Sequence, residues 1–372
     1  DSSTNRYTGQ NFVVCDLCQP LASNTGLLVW TTQASGNYYY AVTNSPSQTL
    51  TSGVNTTGPV AETFTDTPGA VLLGTTANVG GGGHTQYRYT AWEDYATWRQ
   101  NVWGYYGHRF DVFVPEAGYG MVPPHPLILR LHAAGANGYH EPPLQTNGAL
   151  GVVLYPVDLN FVGGLTDPYA GVGYPHSKWF GLMDPVHDVV RTITEDRVAR
   201  YVKLVRDNPT FQIDANRIYV LGASLGSGSM HVASHHPELF AAGIASIGFI
   251  NDVDGTLNNA AINQTKRVNS SAGPIWRDYQ DMAWMASQGN MIPITHTFNK
   301  DDPYFPPAPY VAALQAFETY KQPFAAKWQN GNHAEFYLSG AWDYRRFKKN
   351  EAYPAFANAG NTDNIIRRIA TQ

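Results

Sequence analysis

"RIYVLGASLGSGSM", residues 217–230, decides how this chain is read. An apolar run of strand type ends in a span that holds three glycines and three serines. A phosphate-binding P-loop would need Gly-Lys-Ser or Gly-Lys-Thr at its end, and no Lys occurs here. A dinucleotide fingerprint needs GxGxxG, and glycines at 222, 226 and 228 have the wrong spacing. The pattern that fits is GxSxG: Gly222, Ala223, Ser224, Leu225, Gly226, with a strand pattern before it and a helix pattern after it. A serine on so tight a turn sits in a strained backbone conformation. Side chains two residues to either side would collide, which explains glycine at both places. The turn lifts the Ser224 hydroxyl above the C-terminal edge of a sheet. It also leaves the Leu225 N–H at the start of a helix, facing any negative charge that develops on a reacting group. The alternative is a Gly/Ser-rich helix start that serves close packing and no chemistry.

A nucleophilic serine needs a base, and the base needs an orienting acid. With an elbow of this kind the chain order is Ser, then Asp or Glu, then His. Beyond the adjacent helix only His296 and His333 follow Ser224. His333 lies in "QNGNHAEFY", a loop just after the last apolar strand, where an imidazole can reach the serine. His296 sits inside the strand pattern "IPITHTF", ahead of the acids, and reads as a buried side chain bonded to backbone. The acid should follow that strand, where "NKDDPYF" offers Asp301 and Asp302. Pro303 restricts the residue before it to an extended conformation, which favours Asp302, with Asp301 the alternative. A second oxyanion donor is expected from "HAAGAN" (132–137), after the strand "LILRLH". Ala134 is the first choice there and Ala133 the second, with His132 bracing the loop.

Outward from the elbow the chain alternates strands and helices from about residue 86. "HRFDVFVP" (108–115), "HPLILRLH" (125–132), "GVVLYPVD" (151–158), "AAGIASI" (241–247), "IPITHTF" (292–298) and "FAAKWQ" (324–329) read as strands. Thr192 and Glu195 form a capping-box pair, and the helix behind them to about Asn208 gathers Val198, Tyr201, Val202 and Val205 on one face. A further helix is expected over 309–321. Alternation of this kind implies a mostly parallel sheet covered on both faces. Residues 1–85 read instead as β-rich, with "GLLVW" and "NYYYAVT" as short strands and "NVGGGGHT" (78–85) as a linker or broad turn.

The segments "HRFDVFVP", "LILRLHAAG", "IDANRIYVLGASLGSGS", "PELFAAGIASIG", "HTFNKDDP" and "NGNH" resemble the α/β-hydrolase superfamily over roughly residues 100 to 345. More narrowly they resemble its esterase branch that includes polyhydroxybutyrate depolymerases, feruloyl esterases and acetyl xylan esterases. The chain departs from that pattern in three places. His132 is followed by Ala133 where the branch often has His-Gly. His296 and Asp302 are six residues apart, longer than the usual His-Gly-x-x-Asp link. Ser227 takes a place that is often glycine. The "YYYAVT" run, a polar loop and "GPVAET" resemble the last strands of fibronectin type III modules over roughly 50 residues, and the fewer than 40 residues before the Tyr run do not easily hold the rest of a seven-stranded sandwich. The expectation is a reduced β-sandwich-like module over residues 1–85 and an α/β-hydrolase catalytic domain over residues 86–372.

Composition narrows the function classes. A chain of 372 residues is large for one core and suits a large domain with a smaller one. Charged residues make up 14%, well under the ordinary quarter, and polarity comes from Asn, Thr, Ser, Gln and Tyr, a composition that points to secretion. The first residue is Asp1, which a removed signal peptide or a trimmed chain would both explain. A formal charge of −5 without a long basic block argues against nucleic acid. No apolar run reaches the roughly 18 residues that a membrane span needs. Cys15 and Cys18 lack a second pair for a four-thiolate zinc site and lie outside any βαβ pattern, so a local disulfide or a free thiol pair is expected.

Three other features invite chemistry. His231 and His235 stand four apart on a helix, but Val232 occupies the place of the glutamate in HExxH, so packing is the expected role. Asp252, Asp254 and Gly255 echo a calcium loop that lacks its closing glutamate. Between the strands at 241–247 and 292–298, Trp276, Tyr279, Met282, Trp284 and Met285 read as the core of a covering helix, with Trp276 and Trp284 as candidate substrate contacts. Tyr139, beside His140 and Glu141 near the oxyanion loop, is a third candidate contact. Together these readings predict a secreted, monomeric serine esterase. Ser224, His333 and Asp302 would act on an ester substrate, small or polymeric, with Leu225 and Ala134 as oxyanion donors and no metal or cofactor. The alternatives are a serine peptidase on the same fold, or a polymer-binding protein with a vestigial hydrolase domain.

Overall fold

The apolar runs become strands because each has both faces to bury. The computed structural model describes residues 34–43, 45, 47–63, 69–79, 83–93, 106–119, 122–133, 151–156, 179, 182–184, 189–248, 269–270, 273–274, 276–289, 291–305, 307–333 and 344–353. The N-terminal part contributes β1 (Gly36–Ala41) and β2 (Thr56–Glu62), paired antiparallel as a two-stranded sheet. Of the expected β-sandwich-like module over residues 1–85, this pair forms a sheet of its own; "GLLVW" and the two cysteines lie outside the described residues. Next come β3 (Ala70–Thr76), β4 (His84–Glu93), β5 (Tyr106–Pro115), β6 (His125–Leu131) and β7 (Val152–Pro156). Short strands β8 (Leu182–Asp184) and β9 (Val189–Arg191) lead into helix α1 (Ile193–Asp207). Then follow β10 (Ile213–Ala223), a 3-10 turn (Ser224–Gly228), α2 (Ser229–His235) and β11 (Ala242–Ser246). The rest of the chain gives β12 (Asn269–Ser270), α3 (Trp276–Tyr279), α4 (Met282–Gln288), β13 (Ile294–Asn299), α5 (Pro307–Thr319) and β14 (Phe324–Gln329).

Nine of these strands form one sheet in the order β14-β13-β11-β10-β6-β7-β5-β4-β3. From β14 to β7 every neighbouring pair is parallel. β5 pairs antiparallel with β7 and β4, and β3 pairs antiparallel with β4. This is the α/β-hydrolase fold. The glycine-rich stretch 78–85 therefore lies between two strands of one sheet. The module boundary expected at residue 85 falls inside that sheet, because β3 and β4 pair with each other and β4 pairs with β5 along its whole length. β8, β9 and β12 make a separate three-stranded sheet that periodicity alone did not reveal.

Period-two alternation sends side chains to both faces of the large sheet. Leu127, Leu129 and Leu131 of β6 and Ile218 and Val220 of β10 join one buried cluster with Val198, Tyr201, Val202 and Val205 of α1. Ile128 and Tyr219, between them in sequence, join a second buried cluster with Phe113, Val153, Tyr155, Ile244 and Tyr344. The central strands are thus covered on both sides, and their C-terminal ends are where the loops can act.

One expectation about α1 changes. Thr192 stands at its N-cap, but its hydroxyl donates to the Asp196 carboxylate at 2.9 Å rather than capping a backbone N–H. Glu195 does not close a capping box. It is fully buried, and its Oε1 accepts from His235 Nδ1 at 2.7 Å and from the Tyr279 hydroxyl at 3.1 Å. Burial pushes the Glu195 carboxyl upward, but the charge of His235 and its hydrogen bond outweigh this and hold it at about 2, below its ordinary 4.5. A carboxylate with a lowered native pKa stabilises the fold above its unfolded pKa and loses that contribution as pH falls through the native one. Replacing Glu195 with Gln is therefore expected to cost about 3 kcal/mol near pH 6. In urea unfolding followed across pH, the gap between the two proteins should narrow as pH drops below 4.5 toward 2.

Candidate active site

The serine turn has the geometry that its glycines imply. Ser224 has φ +53°, the left-handed region that L side chains avoid, directly after extended backbone at Ala223. A Cβ on Gly222 would lie 1.8 Å from the carbonyl oxygen of Gly226, and a Cβ on Gly226 would lie 2.3 Å from that of Leu131. The turn is therefore closed on itself and pressed against the end of β6. Leu225 is buried, and its N–H belongs to the opening turn, where backbone donors lack an intrahelical acceptor.

Ser224 Oγ is 2.7 Å from Nε2 of His333, and Nδ1 of the same ring is 2.8 Å from Oδ2 of Asp302. The carboxylate only accepts, so Nδ1 carries the proton and Nε2 presents a lone pair to the serine hydroxyl. Asp302 is held in turn: its Oδ1 accepts the backbone N–H groups of Tyr304 at 2.9 Å and Phe305 at 3.2 Å, a turn that Pro303 helps to initiate. The Asp302 side chain is 1% exposed and that of His333 is 23% exposed, so the acid is shielded while the base meets solvent. Asp301, its rival in the sequence, is exposed and bonds through its backbone to Gly331.

The loop after β6 starts against the elbow. His132 is buried, its carbonyl accepts from Trp179 Nε1 at 3.3 Å, and its ring meets the Trp179 ring edge-on at 4.8 Å. Ala134, Tyr139, His140 and Glu141, all singled out above, lie outside the described residues, as do Asp252, Asp254 and Gly255 and the side chain of Trp276. Trp284 is half-buried and packs on the core with Tyr279, Met282 and Met285, without a described contact to Ser224 or His333.

The remaining histidines take structural places. His296 is buried and stacks on Phe298 with ring centroids 3.9 Å apart. Both its ring nitrogens lack a hydrogen-bond partner among the described residues, so the expected bond to backbone is not found. Burial, with a smaller effect from His231, pulls its pKa down to about 3, which keeps the ring neutral. His231 and His235 do not converge on one point: Nε2 of His231 bonds the Gln280 carbonyl at 2.9 Å and Nε2 of His235 bonds the Tyr279 carbonyl at 2.9 Å.

Sequence reasoning missed two neighbours of the base. Tyr304 meets the His333 ring edge-on at 4.9 Å and remains 58% exposed. Phe305 is buried, with its ring centroid 5.3 Å from that of His333. Their place directly after Asp302-Pro303 was the available signal, since a turn there returns the chain over the acid.

No protein-family model and no curated protein matches the chain. Solved structures similar to it include an S-formylglutathione hydrolase from Agrobacterium tumefaciens, 15% identical, covering 70% of this chain and 92% of that one with a TM-score of 0.46. Another is acetyl xylan esterase 1 from Thermoanaerobacterium sp. JW/SL YS485, 16% identical, covering 72% and 83% with a TM-score of 0.48. A third is a ferulic acid esterase, 11% identical, covering 67% and 91% with a TM-score of 0.42. These are likenesses of chain trace; the fold and the site rest on the strand order and the distances above.

The two acids separate by experiment. Asp302→Asn should slow the reaction of Ser224 with a fluorophosphonate probe by about 10⁴-fold, because it removes the acceptor that fixes the imidazole tautomer. Asp301→Asn should leave the labelling rate close to that of the unaltered protein, and the reverse pattern would move the acid to Asp301.

Proposed function

We propose that this protein is a serine hydrolase of carboxylic esters. The hydrogen-bonded series Ser224–His333–Asp302, at 2.7 and 2.8 Å, supports this reading. His333 takes the proton of Ser224 as Oγ attacks the ester carbonyl carbon. The carbonyl π electrons move to oxygen, and the oxyanion meets the Leu225 N–H and a backbone N–H of the loop after His132, with Ala134 the proposed donor. Asp302 stabilises the imidazolium. The tetrahedral intermediate collapses, its C–O bond breaks, and His333 returns the proton to the leaving alcohol. Water then repeats the cycle on the acyl-enzyme and frees the acid and Ser224. Each step is served by these groups, so the reaction as written needs no metal or organic cofactor.

The alcohol takes its proton from Nε2 and so departs beside the His333 ring. Tyr304, exposed and edge-on to that ring, is the proposed contact for the alcohol portion. The proposal extends to an extracellular setting, supported by the low charge content of 14%, and to acyl groups of the polyester or plant cell-wall type. No helix among the described residues is long and apolar enough to cross a membrane.

A panel of p-nitrophenyl esters with acetyl, hydroxycinnamoyl and 3-hydroxybutyryl groups, run beside matched anilides, tests the reading. Turnover of esters well above anilides is expected, and Ser224→Ala should lower it by about 10⁶-fold. Anilide hydrolysis at the same rate would make the protein a peptidase. Ester turnover that survives Ser224→Ala would remove the serine from the mechanism.

A further inference from the structure

The acid and the base belong to different strands, and the 2.8 Å bond between them requires that two segments keep their separation beyond the ends of those strands. β13 and β14 pair in parallel up to Asn299 and Gln329. Past that point the segment leading to His333 is fixed to the segment leading to Asp302 carbonyl by carbonyl. The Gln329 carbonyl accepts from Lys300 N–H at 3.0 Å and the Gly331 carbonyl from Asp301 N–H at 3.2 Å. The next tie comes from a side chain: Asn299 Nδ2 donates to the Asn332 carbonyl at 2.5 Å, one residue before the base.

The orientation of this amide follows from its partners. A backbone carbonyl only accepts, so the NH₂ of Asn299 faces Asn332 and its Oδ1 faces the other way. There it accepts from Nε2 of Gln329 at 2.7 Å. Asn299 is 2% exposed, so an amide without these bonds would carry the full cost of desolvation. The bonds therefore hold the amide in one orientation, and the amide holds the backbone next to His333. Gly331, with φ +135°, supplies the backbone turn that brings successive carbonyls round to the acid-bearing segment.

We propose that Asn299 is a positioning residue for the reaction described above. It touches neither the imidazole nor the reacting atoms. It sets the place of His333 against Asp302 by fixing the carbonyl of Asn332, with Gln329 orienting its amide. This inference rests on the hydrolase reading for its kinetic consequences but not for its structural ones. Displacement of a catalytic group by about 1 Å costs on the order of 10²-fold in rate.

The test compares Asn299→Asp, Asn299→Leu and Gln329→Leu with the unaltered protein. Asn299→Asp keeps the shape and the acceptor for Gln329 but loses the donor to Asn332. For p-nitrophenyl acetate both Asn299 variants should show a kcat lower by about 10²-fold with KM within about twofold. Gln329→Leu should shift kcat in the same direction by a smaller factor, about tenfold. The low-field proton resonance of His333 Nδ1–H should broaden or vanish in the Asn299 variants while the folded spectrum is otherwise retained. If the Asn299 variants fail to fold, Gln329→Leu decides, and an unchanged kcat with an intact Nδ1–H resonance there would overturn the proposal. Folded Asn299 variants with an intact Nδ1–H resonance and unaltered kcat would also overturn it. The resonance needs no substrate, so a protein that hydrolysed no ester would refute the proposed function while leaving the Asn299 comparison readable.

Discussion

The approach of Gly226 to the Leu131 carbonyl is the constraint on which the site depends. With a virtual Cβ only 2.3 Å from that oxygen, the elbow has no room to retreat from β6. The register of β10 against β6, through Val220 with Leu129 and Gly222 with Leu131, brings the two strand ends to the same height. Ser224 must then turn at φ +53° to leave the sheet, and its hydroxyl emerges on the edge where β6, β11 and β13 also end. A strained serine and a crowded glycine are two consequences of one close packing of strand ends.

The same edge explains how residues 109 positions apart meet. Asp302 follows β13 and His333 follows β14, and the parallel register delivers both loops to the side of the sheet that carries the elbow. The acid is then fixed by its own turn, through the backbone of Tyr304 and Phe305, and the base by ties to the acid's segment. Shielding the carboxylate while leaving the ring partly open suits the two tasks. In the proposed reaction the carboxylate acts on the imidazole through a low-dielectric contact, and the imidazole exchanges protons with groups that arrive from solvent.

What the sequence made legible was whatever is encoded locally. The elbow could be read because strand, glycines and serine are contiguous, and the buried strands because apolar residues run without interruption, as from Pro126 to Leu129. The choice of Asp302 over Asp301 rested on Pro303, and the turn from Asp302 to Tyr304 is the local structure in which that proline sits. What could not be read was set by pairings across long stretches of chain. Glu195 looked like half of a capping box because Thr192 is three residues before it, but its partner His235 is 40 residues away. The β3–β4 pair was hidden for a different reason: a glycine-rich stretch reads alike as a linker and as the connection between two strands. His296 looked fit for a backbone bond, yet both its ring nitrogens lack a partner among the described residues and burial keeps the ring neutral.

The histidine pair for which packing was expected ties the serine turn's helix to the rest of the fold. His231 and His235 lie one turn apart on α2, the helix that continues from the serine turn, and they bond successive carbonyls, Gln280 and Tyr279, at the end of α3. Both ring nitrogens of His235 face acceptors, Glu195 on one side and the Tyr279 carbonyl on the other. The helix is thus tied at two heights to the segment between β12 and α4, and through Glu195 to α1. Two ties one turn apart resist rotation about the helix axis better than one. Rotation of α2 would swing the preceding turn and carry Ser224 Oγ away from the lone pair on His333. The insertion between β11 and β13 therefore does more than cover the sheet. It ties the helix that continues from the serine turn at two heights, with side chains for which packing was the expected role.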